Sequence, residues 1–248
     1  MTIHKIIILR HGESEWNHAN KFCGWIDVSL SEKGKQEAER AGELILQSGL
    51  KPIAMYTSKL TRSNQTGNII LEKIHRLWCD STKSWRLNER HYGAFQGRDK
   101  TEVFKELGKE KYDYIRRDYD GKPPPVLGTD PCIDDRYDSG IDLPKAESLR
   151  LVSERFLPYF EEEILKKNWA QCHDDKAILI VTHGSIVRSL IKKLTNVSDA
   201  DISKINIPTG IPIVFELDDN HEVIRDYYYL DPEAAKQGIS KVSKEGQT

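Results

Sequence analysis

Ile3-His4-Lys5-Ile6-Ile7-Ile8-Leu9-Arg10-His11-Gly12-Glu13 is the stretch on which the fold turns. Residues 3–9 are rich in isoleucine and read as a strand buried on both faces, the mark of a parallel sheet. A cation, an imidazole and a glycine end it abruptly. Working outward, a polar, aromatic loop fills 13–30. Ser31 is then an N-cap with Glu32 in the first turn, Ala38, Ala41, Leu44 and Ile45 recur at helical spacing, and Gly49 closes the element. Residues 53–56 give a second strand, after which Thr57 and Ser58 are expected to cap a helix burying Ile69, Ile70 and Ile74. Leu149, Val152, Phe156, Leu157, Phe160 and Ile164 form a further helical stripe with a kink expected at Pro158. Residues 177–181 repeat the buried strand, and Gly184 opens a helix with Ile186, Val187, Leu190, Ile191 and Leu194 inside. Residues 213–217 and 223–229 read as a closing pair of strands. This alternation predicts an α/β fold with helices on both faces of a sheet. It also predicts one domain over 1–248, with an irregular insertion at about 85–145 and a mobile tail at about 232–248.

Composition narrows the chemistry. The 248 residues are 38% apolar and 31% charged with a net charge of −2, which gives no ground for a nucleic acid or an anionic membrane as partner. The longest apolar run, Ile6-Ile7-Ile8-Leu9, is too short for a membrane span or a signal sequence, and a cytoplasmic location is expected. Cys23, Cys79, Cys132 and Cys172 lack Cys-x-x-Cys spacing and the eight histidines lack ligand spacing, so free thiols and no metal are expected.

Three chemical groups follow strands in the same way. Arg10 and His11 end the first, Arg62 stands in the first helical turn after the second, and His183 follows residues 177–181. Ligands of open α/β sheets bind outside those strand ends, so convergence is expected. Arginines beside His11 penalise the imidazolium and keep the ring neutral and nucleophilic. They also clamp phosphoryl oxygens, and Gly12 would bring a backbone N–H to the phosphate. Arg62 opposes the helix macrodipole, a breach of a local rule that often marks a site. A second constellation, Trp85-Arg86-Leu87-Asn88-Glu89-Arg90-His91-Tyr92-Gly93 with Lys100, Arg116 and Arg117, is suited to a polyanion, with Glu89 able to shuttle a proton to a hydroxyl. Taken alone, each histidine reads first as packing or a satisfied hydrogen-bonder and the basic stretch as a solvated face; taken together they do not.

Together these residues resemble the cofactor-dependent phosphoglycerate mutases of the histidine phosphatase superfamily, over nearly the whole chain. The resemblance also rests on Ser14-Glu15-Trp16-Asn17, Tyr56-Thr57-Ser58-Lys59-Leu60, Pro123-Pro124-Pro125, Asp135-Arg136-Tyr137, Glu147-Ser148-Leu149 and Ile207-Pro208-Thr209-Gly210-Ile211-Pro212. It implies a three-layer α/β/α sandwich with a mostly parallel central sheet and an antiparallel edge strand. It further implies interconversion of 3- and 2-phosphoglycerate in glycolysis and gluconeogenesis, by a phosphohistidine at His11 primed by 2,3-bisphosphoglycerate, without a metal, in a homodimer or homotetramer. Arg10, Arg62 and His183 would hold the transferring group and Glu89 would be the general acid/base. Ser14, Asn17, Cys23, Gly24, Arg90, Tyr92, Lys100, Arg116, Arg117, Gly184 and Ser185 would bind substrate. The tail, with Lys236, Lys241 and Lys244, is expected to close over the site. Departures are Thr182-His183-Gly184-Ser185, where mutases read Ala-His-Gly-Asn, Cys23 in place of a hydroxyl residue, and Ala146 in place of threonine. The segment from Thr182 to Arg188 leans towards a phosphatase acting on a phosphorylated metabolite. Bisphosphoglycerate synthase is another alternative, and a non-enzymatic anion-binding protein is a third.

Overall fold

A computed structural model describes residues 2–138 and 140–244. The opening stretch is strand β1 (His4–Arg10), and its side chains divide between two cores. Ile6 and Ile8 face one layer; Ile7 and Leu9 face the other. A short helix α1 (Glu15–His18) precedes α2 (Glu32–Ser48), whose cap residues are as read: Ser31 Oγ accepts the N–H of Gly34, and Gly49 closes the helix at φ 74°. Then come β2 (Lys51–Thr57), α3 (Thr61–Lys73), β3 (Asp80–Lys83) and α4 (Lys100–Arg117). Helix α5 (Leu149–Tyr159) runs into a π turn (Phe160–Leu165) and the short α6 (Lys166–Asn168). Beyond these lie β4 (Lys176–Thr182), α7 (Gly184–Thr195), β5 (Ile213–Leu217), β6 (Tyr228–Tyr229) and α8 (Pro232–Lys244).

The sheet order is β3-β2-β4-β1-β5-β6. The first four strands are parallel, and β5 joins β1 antiparallel, with the two-residue β6 outside it. Helices α2 and α3 cover one face through Ala41, Ile45, Ile70 and Leu71; α5 and α7 cover the other through Val152, Phe156, Val187 and Leu190. The fold is thus the expected three-layer, mostly parallel sandwich. Because β4 lies between β1 and β2, the carboxyl ends of these three strands stand side by side, which places His11, Arg62 and His183 on one rim.

Four local readings need correction. Thr57 and Ser58 do not cap α3. Its N-cap is Leu60, and Asp27 reaches across instead, accepting from the N–H and hydroxyl of Thr61 at 2.7 Å each. Thr57 Oγ1 donates to Asn64 Oδ1, and Ser58 Oγ is turned to His183. The 85–145 insertion is not irregular throughout, since α4 fills 18 residues of it, broken at Gly108 (φ 73°) and packed by Val103, Tyr112 and Ile115 on Phe22 and Phe95. The closing pair is shorter than read, because only Tyr228 and Tyr229 pair with β5, apart from an isolated bridge at Val223. The expected tail is a helix over Pro232–Lys244, held by buried Ala235 and the approach of Gly238 to Pro208; residues 245–248 lie outside the described residues. Pro158, where a kink was expected, lies just before the π turn, at which the helix leaves α geometry.

Candidate active site

His11 continues the sheet ladder for one bond, donating its backbone N–H to Thr182 O at 2.8 Å. Its ring is buried. Nδ1 lies 2.6 Å from Gly12 O, a group that only accepts, so the proton sits on Nδ1. Nε2 is therefore the lone-pair nitrogen, and Arg62 Nε donates to it at 3.2 Å. The same guanidinium donates to Gly24 O at 2.7 Å and Ile26 O at 3.0 Å, which fixes it although it is fully buried. Burial first, then the charges of Arg62 and Arg10, hold the His11 pKa well below 6.5. A neutral imidazole with its lone pair facing a guanidinium is a nucleophile prepared for an electrophile that carries negative oxygens.

His183 packs edge-on to His11 with ring centroids 4.9 Å apart. Its Nε2 meets Ser58 Oγ at 2.8 Å; that oxygen accepts from Leu60 N–H, and the imidazole is the hydroxyl's one acceptor among the described residues, so the hydroxyl donates to the ring. Nδ1–H of His183 is then a buried donor with no partner among the described residues, and the same holds for Arg10 Nε. Donors left without acceptors beside a nucleophile fit an anion that is to be transferred. Arg10 is steered by its Nη1 bond to Ile207 O at 3.0 Å. Burial, then Arg62, His11 and Arg10, depress the His183 pKa as well.

The two depressed histidine pKa values fix a sign for acid stability. With the folded values below the unfolded 6.5, the unfolded chain protonates first as pH falls. Their contribution is full above pH 6.5 and is lost below it, at about 1.4 kcal/mol per pH unit for each ring. Urea unfolding at pH 6.5 and 5.5 should show this loss reduced by about 1 kcal/mol in His183→Asn, because the unfolded ring is already half protonated at pH 6.5. An unchanged difference would mean that His183 is not neutral in the folded chain.

Gly12 behaves otherwise than expected. Its N–H is donated to Thr66 Oγ1 at 3.1 Å and is not offered to a phosphate. Glycine is required there for packing, since a Cβ would lie 2.2 Å from Gly34 O. This contact locks the loop after β1 against α2.

Around His11 opens a pocket lined by Arg10, Asn17, Cys23, Gly24, Arg62, Glu89, Tyr92, Lys100, Arg116, Arg117, Gly184 and Ser185, all expected from the sequence. Lys21, Phe22, Arg188, Asn206, Ile207 and Val242 were not expected and complete it with Ile205. Among the described lining residues, Glu89 is the lone carboxylate against Arg10, Lys21, Arg62, Lys100, Arg116, Arg117 and Arg188. Its Oε1 accepts from Arg90 N–H at 2.7 Å and Ser185 N–H at 3.3 Å, at the N-terminal turn of α7. Its backbone carbonyl accepts from Trp25 Nε1 at 2.6 Å and Arg155 Nη2 at 3.0 Å. Arg155 is itself held by Glu147, with Nε 2.6 Å from Oε1. Thr182 Oγ1 donates to Leu87 O at 2.7 Å, so the threonine that departs from the mutase pattern ties β4 to the loop bearing Glu89.

Three expected residues do not line the pocket: His183, fully buried behind it against His11, and Ser14 and Arg90. Ser14 is buried as the N-cap of α1, accepting from Asn17 N–H and donating to Asn17 Oδ1, which orients that amide. Arg90 donates to Ile115 O, Gly121 O and Arg116 O and stacks on Tyr92, so it secures the end of α4 that carries Arg116 and Arg117. Helix α8 reaches the rim. Lys241 Nζ lies 3.3 Å from Glu13 Oε2, and Arg117 donates to the carbonyls of Val242 and Ser243. None of the three tail lysines, Lys236, Lys241 and Lys244, lines the pocket; Val242 does.

A sheet-end pocket lined by arginines beside two buried histidines whose pKa values are depressed has the chemistry of a site for anionic, phosphoryl-bearing ligands. The chain matches "Histidine phosphatase superfamily (branch 1)" over residues 6–229, and it belongs to that superfamily and, within it, to the phosphoglycerate mutases. It is 50% identical to "Phosphoglycerate mutase 1" of Saccharomyces cerevisiae over 98% of this chain and 99% of the relative. It is 47% identical to "2,3-bisphosphoglycerate-dependent phosphoglycerate mutase" of Leifsonia xyli subsp. xyli over 98% of each. The fold is also that of a phosphoglycerate mutase crystal structure from Bacillus anthracis str. Sterne, with a TM-score of 0.69 and 18% identity over 96% of this chain and 97% of that one.

Proposed function

We propose that this chain interconverts 3-phosphoglycerate and 2-phosphoglycerate, in glycolysis and gluconeogenesis, through a phosphoryl group carried on His11. The observation that carries the reading is the neutral His11 Nε2, aimed at Arg62 in a pocket of cations. Bound 2,3-bisphosphoglycerate supplies the phosphoryl group that loads His11. Arg10, Arg62 and the Nδ1–H of His183 hold the three oxygens in flight, and Asn17 assists. Lys100, Arg116, Arg117 and Tyr92 hold the rest of the glycerate. As the Nε2–phosphorus bond forms, the ester phosphorus–oxygen bond breaks, and Glu89 gives the departing oxygen a proton. In the reverse step Glu89 takes the proton from the attacking hydroxyl and His11 returns the phosphoryl group. Arg116 and Arg117 let the glycerate turn without leaving, and the end of α8, through Val242, keeps water from the phosphohistidine.

The competing outcome is transfer to water, favoured by Ser185, whose side chain is shorter than the asparagine of the family pattern and lacks its amide donor. The test is the ratio of 2-phosphoglycerate formed to inorganic phosphate released from 3-phosphoglycerate, with and without 2,3-bisphosphoglycerate. Isomer in excess, stimulated by the bisphosphate, is expected; phosphate as the main product would establish a phosphatase. We also propose a cytoplasmic homodimer or homotetramer. Exposed Leu77 and Trp78 beside the outer strand β3 offer the apolar surface, and no helix among the described residues is long and apolar enough to cross a membrane. Sedimentation velocity at micromolar concentration checks the assembly, and a lone 28.5 kDa species would refute it.

A further inference from the structure

Arg188 belongs to no role given above. It lies on α7, four residues after Gly184 and so on the same helical face. A Cβ at Gly184 would stand 3.8 Å from both Arg10 and Glu89, which puts that end of the face beside the phosphoryl-transfer centre. The Arg188 Cα lies about 6 Å further along the helix axis, and its guanidinium is turned to the end of α4, beside Arg90 and Arg117. Its Nη2 donates to Arg117 O and Ile202 O at 2.8 Å each, which fixes the guanidinium plane. Its Nε is buried with no partner among the described residues, although the side chain lines the pocket. Burial, with Arg90 and Arg117 alongside, pulls its pKa down to about 9. A buried cation beside other cations, holding a donor in reserve, gains strongly from an arriving anion.

We propose that Arg188 is a specificity-determining residue whose guanidinium anchors the carboxylate of the bound phosphoglycerate, at the end of the substrate remote from His11. The inference rests on the mutase reading and extends it from the phosphoryl end to the acid end. Arg188 is then what distinguishes a phosphorylated hydroxy acid from a plain phosphate ester.

The test is calorimetric titration of the full chain with two probes, 3-phosphoglycerate and inorganic phosphate, in wild type, Arg188→Met and Arg188→Lys. In Arg188→Met the affinity for 3-phosphoglycerate should fall about 10- to 100-fold while that for inorganic phosphate changes less than about twofold. Arg188→Lys should recover part of the loss, because it keeps the charge without the planar fork. KM for 3-phosphoglycerate should rise far more than kcat falls. Equal losses for both probes would show that Arg188 merely supports the pocket, and no loss would show that it does not meet the ligand; either overturns the proposal. If circular dichroism shows Arg188→Met unfolded, the same ratio of losses in Arg188→Lys decides. Wild-type conversion of 3- to 2-phosphoglycerate is followed in parallel. Its absence would sink the mutase reading, whereas a carboxylate-selective loss of affinity tests Arg188 on its own.

Discussion

Replacing His11 by asparagine should lower turnover of 3-phosphoglycerate by about four orders of magnitude or more, the scale of losing a covalent nucleophile. The amide side chain fills much of the imidazole's volume and can still meet Gly12 O and Arg62, so the pocket should persist. Binding of 3-phosphoglycerate should therefore survive within about tenfold, since the cations that attract it are untouched. 31P NMR follows both isomers and free phosphate together. A variant retaining more than a few per cent of wild-type turnover would mean that the phosphoryl group passes directly between substrate oxygens, with His11 as a bystander.

Arg62→Ala should be the next most damaging change, with turnover falling about a thousandfold, as when a guanidinium is withdrawn from a transferring phosphoryl group. Arg62 does three things at once: it donates to His11 Nε2, depresses the pKa of both histidines, and satisfies the carbonyls of Gly24 and Ile26. The second effect gives a separate readout. Without the cation the His11 pKa rises towards 6.5, so the acid limb of the rate profile should move to higher pH. Arg62→Lys should restore part of that limb but little of the rate, because an ammonium offers no planar fork. A rate loss with an unmoved acid limb would separate Arg62 from the titration of His11.

What could be read in the sequence follows from how each element is buried. Strands β1 and β4 are buried on both faces, so their apolar runs are continuous and unmistakable. Helix α2 carries its own boundaries in Ser31 and Gly49. Strand β3, Asp80-Ser81-Thr82-Lys83, is exposed along its whole length and pairs on one side, so nothing apolar reports it. Helix α4 escaped because Gly108 interrupts it and its partners, Phe22 and Phe95, come from distant loops. The site divides likewise. His11, Arg62 and His183 sit where strands end, and strand ends are visible before strand order is known. Arg155 drew no reading from the sequence, and Arg188 entered only as the end of the segment that leans towards a phosphatase. Only the packing of α5 and α7 against the 86–93 loop and the end of α4 turns them inward. Ser58 read as a cap, and its bond to His183 depended on Asp27 taking over the capping from elsewhere in the chain.

The most direct test of a phosphoryl group carried on His11 is to mix the enzyme with 2,3-bisphosphoglycerate labelled with 32P, quench in base within milliseconds, and map the label by peptide. One acid-labile, base-stable label per chain at His11 is expected, chased into 2- and 3-phosphoglycerate by unlabelled substrate. Label at another residue, or label at His11 that only water can remove, would contradict it.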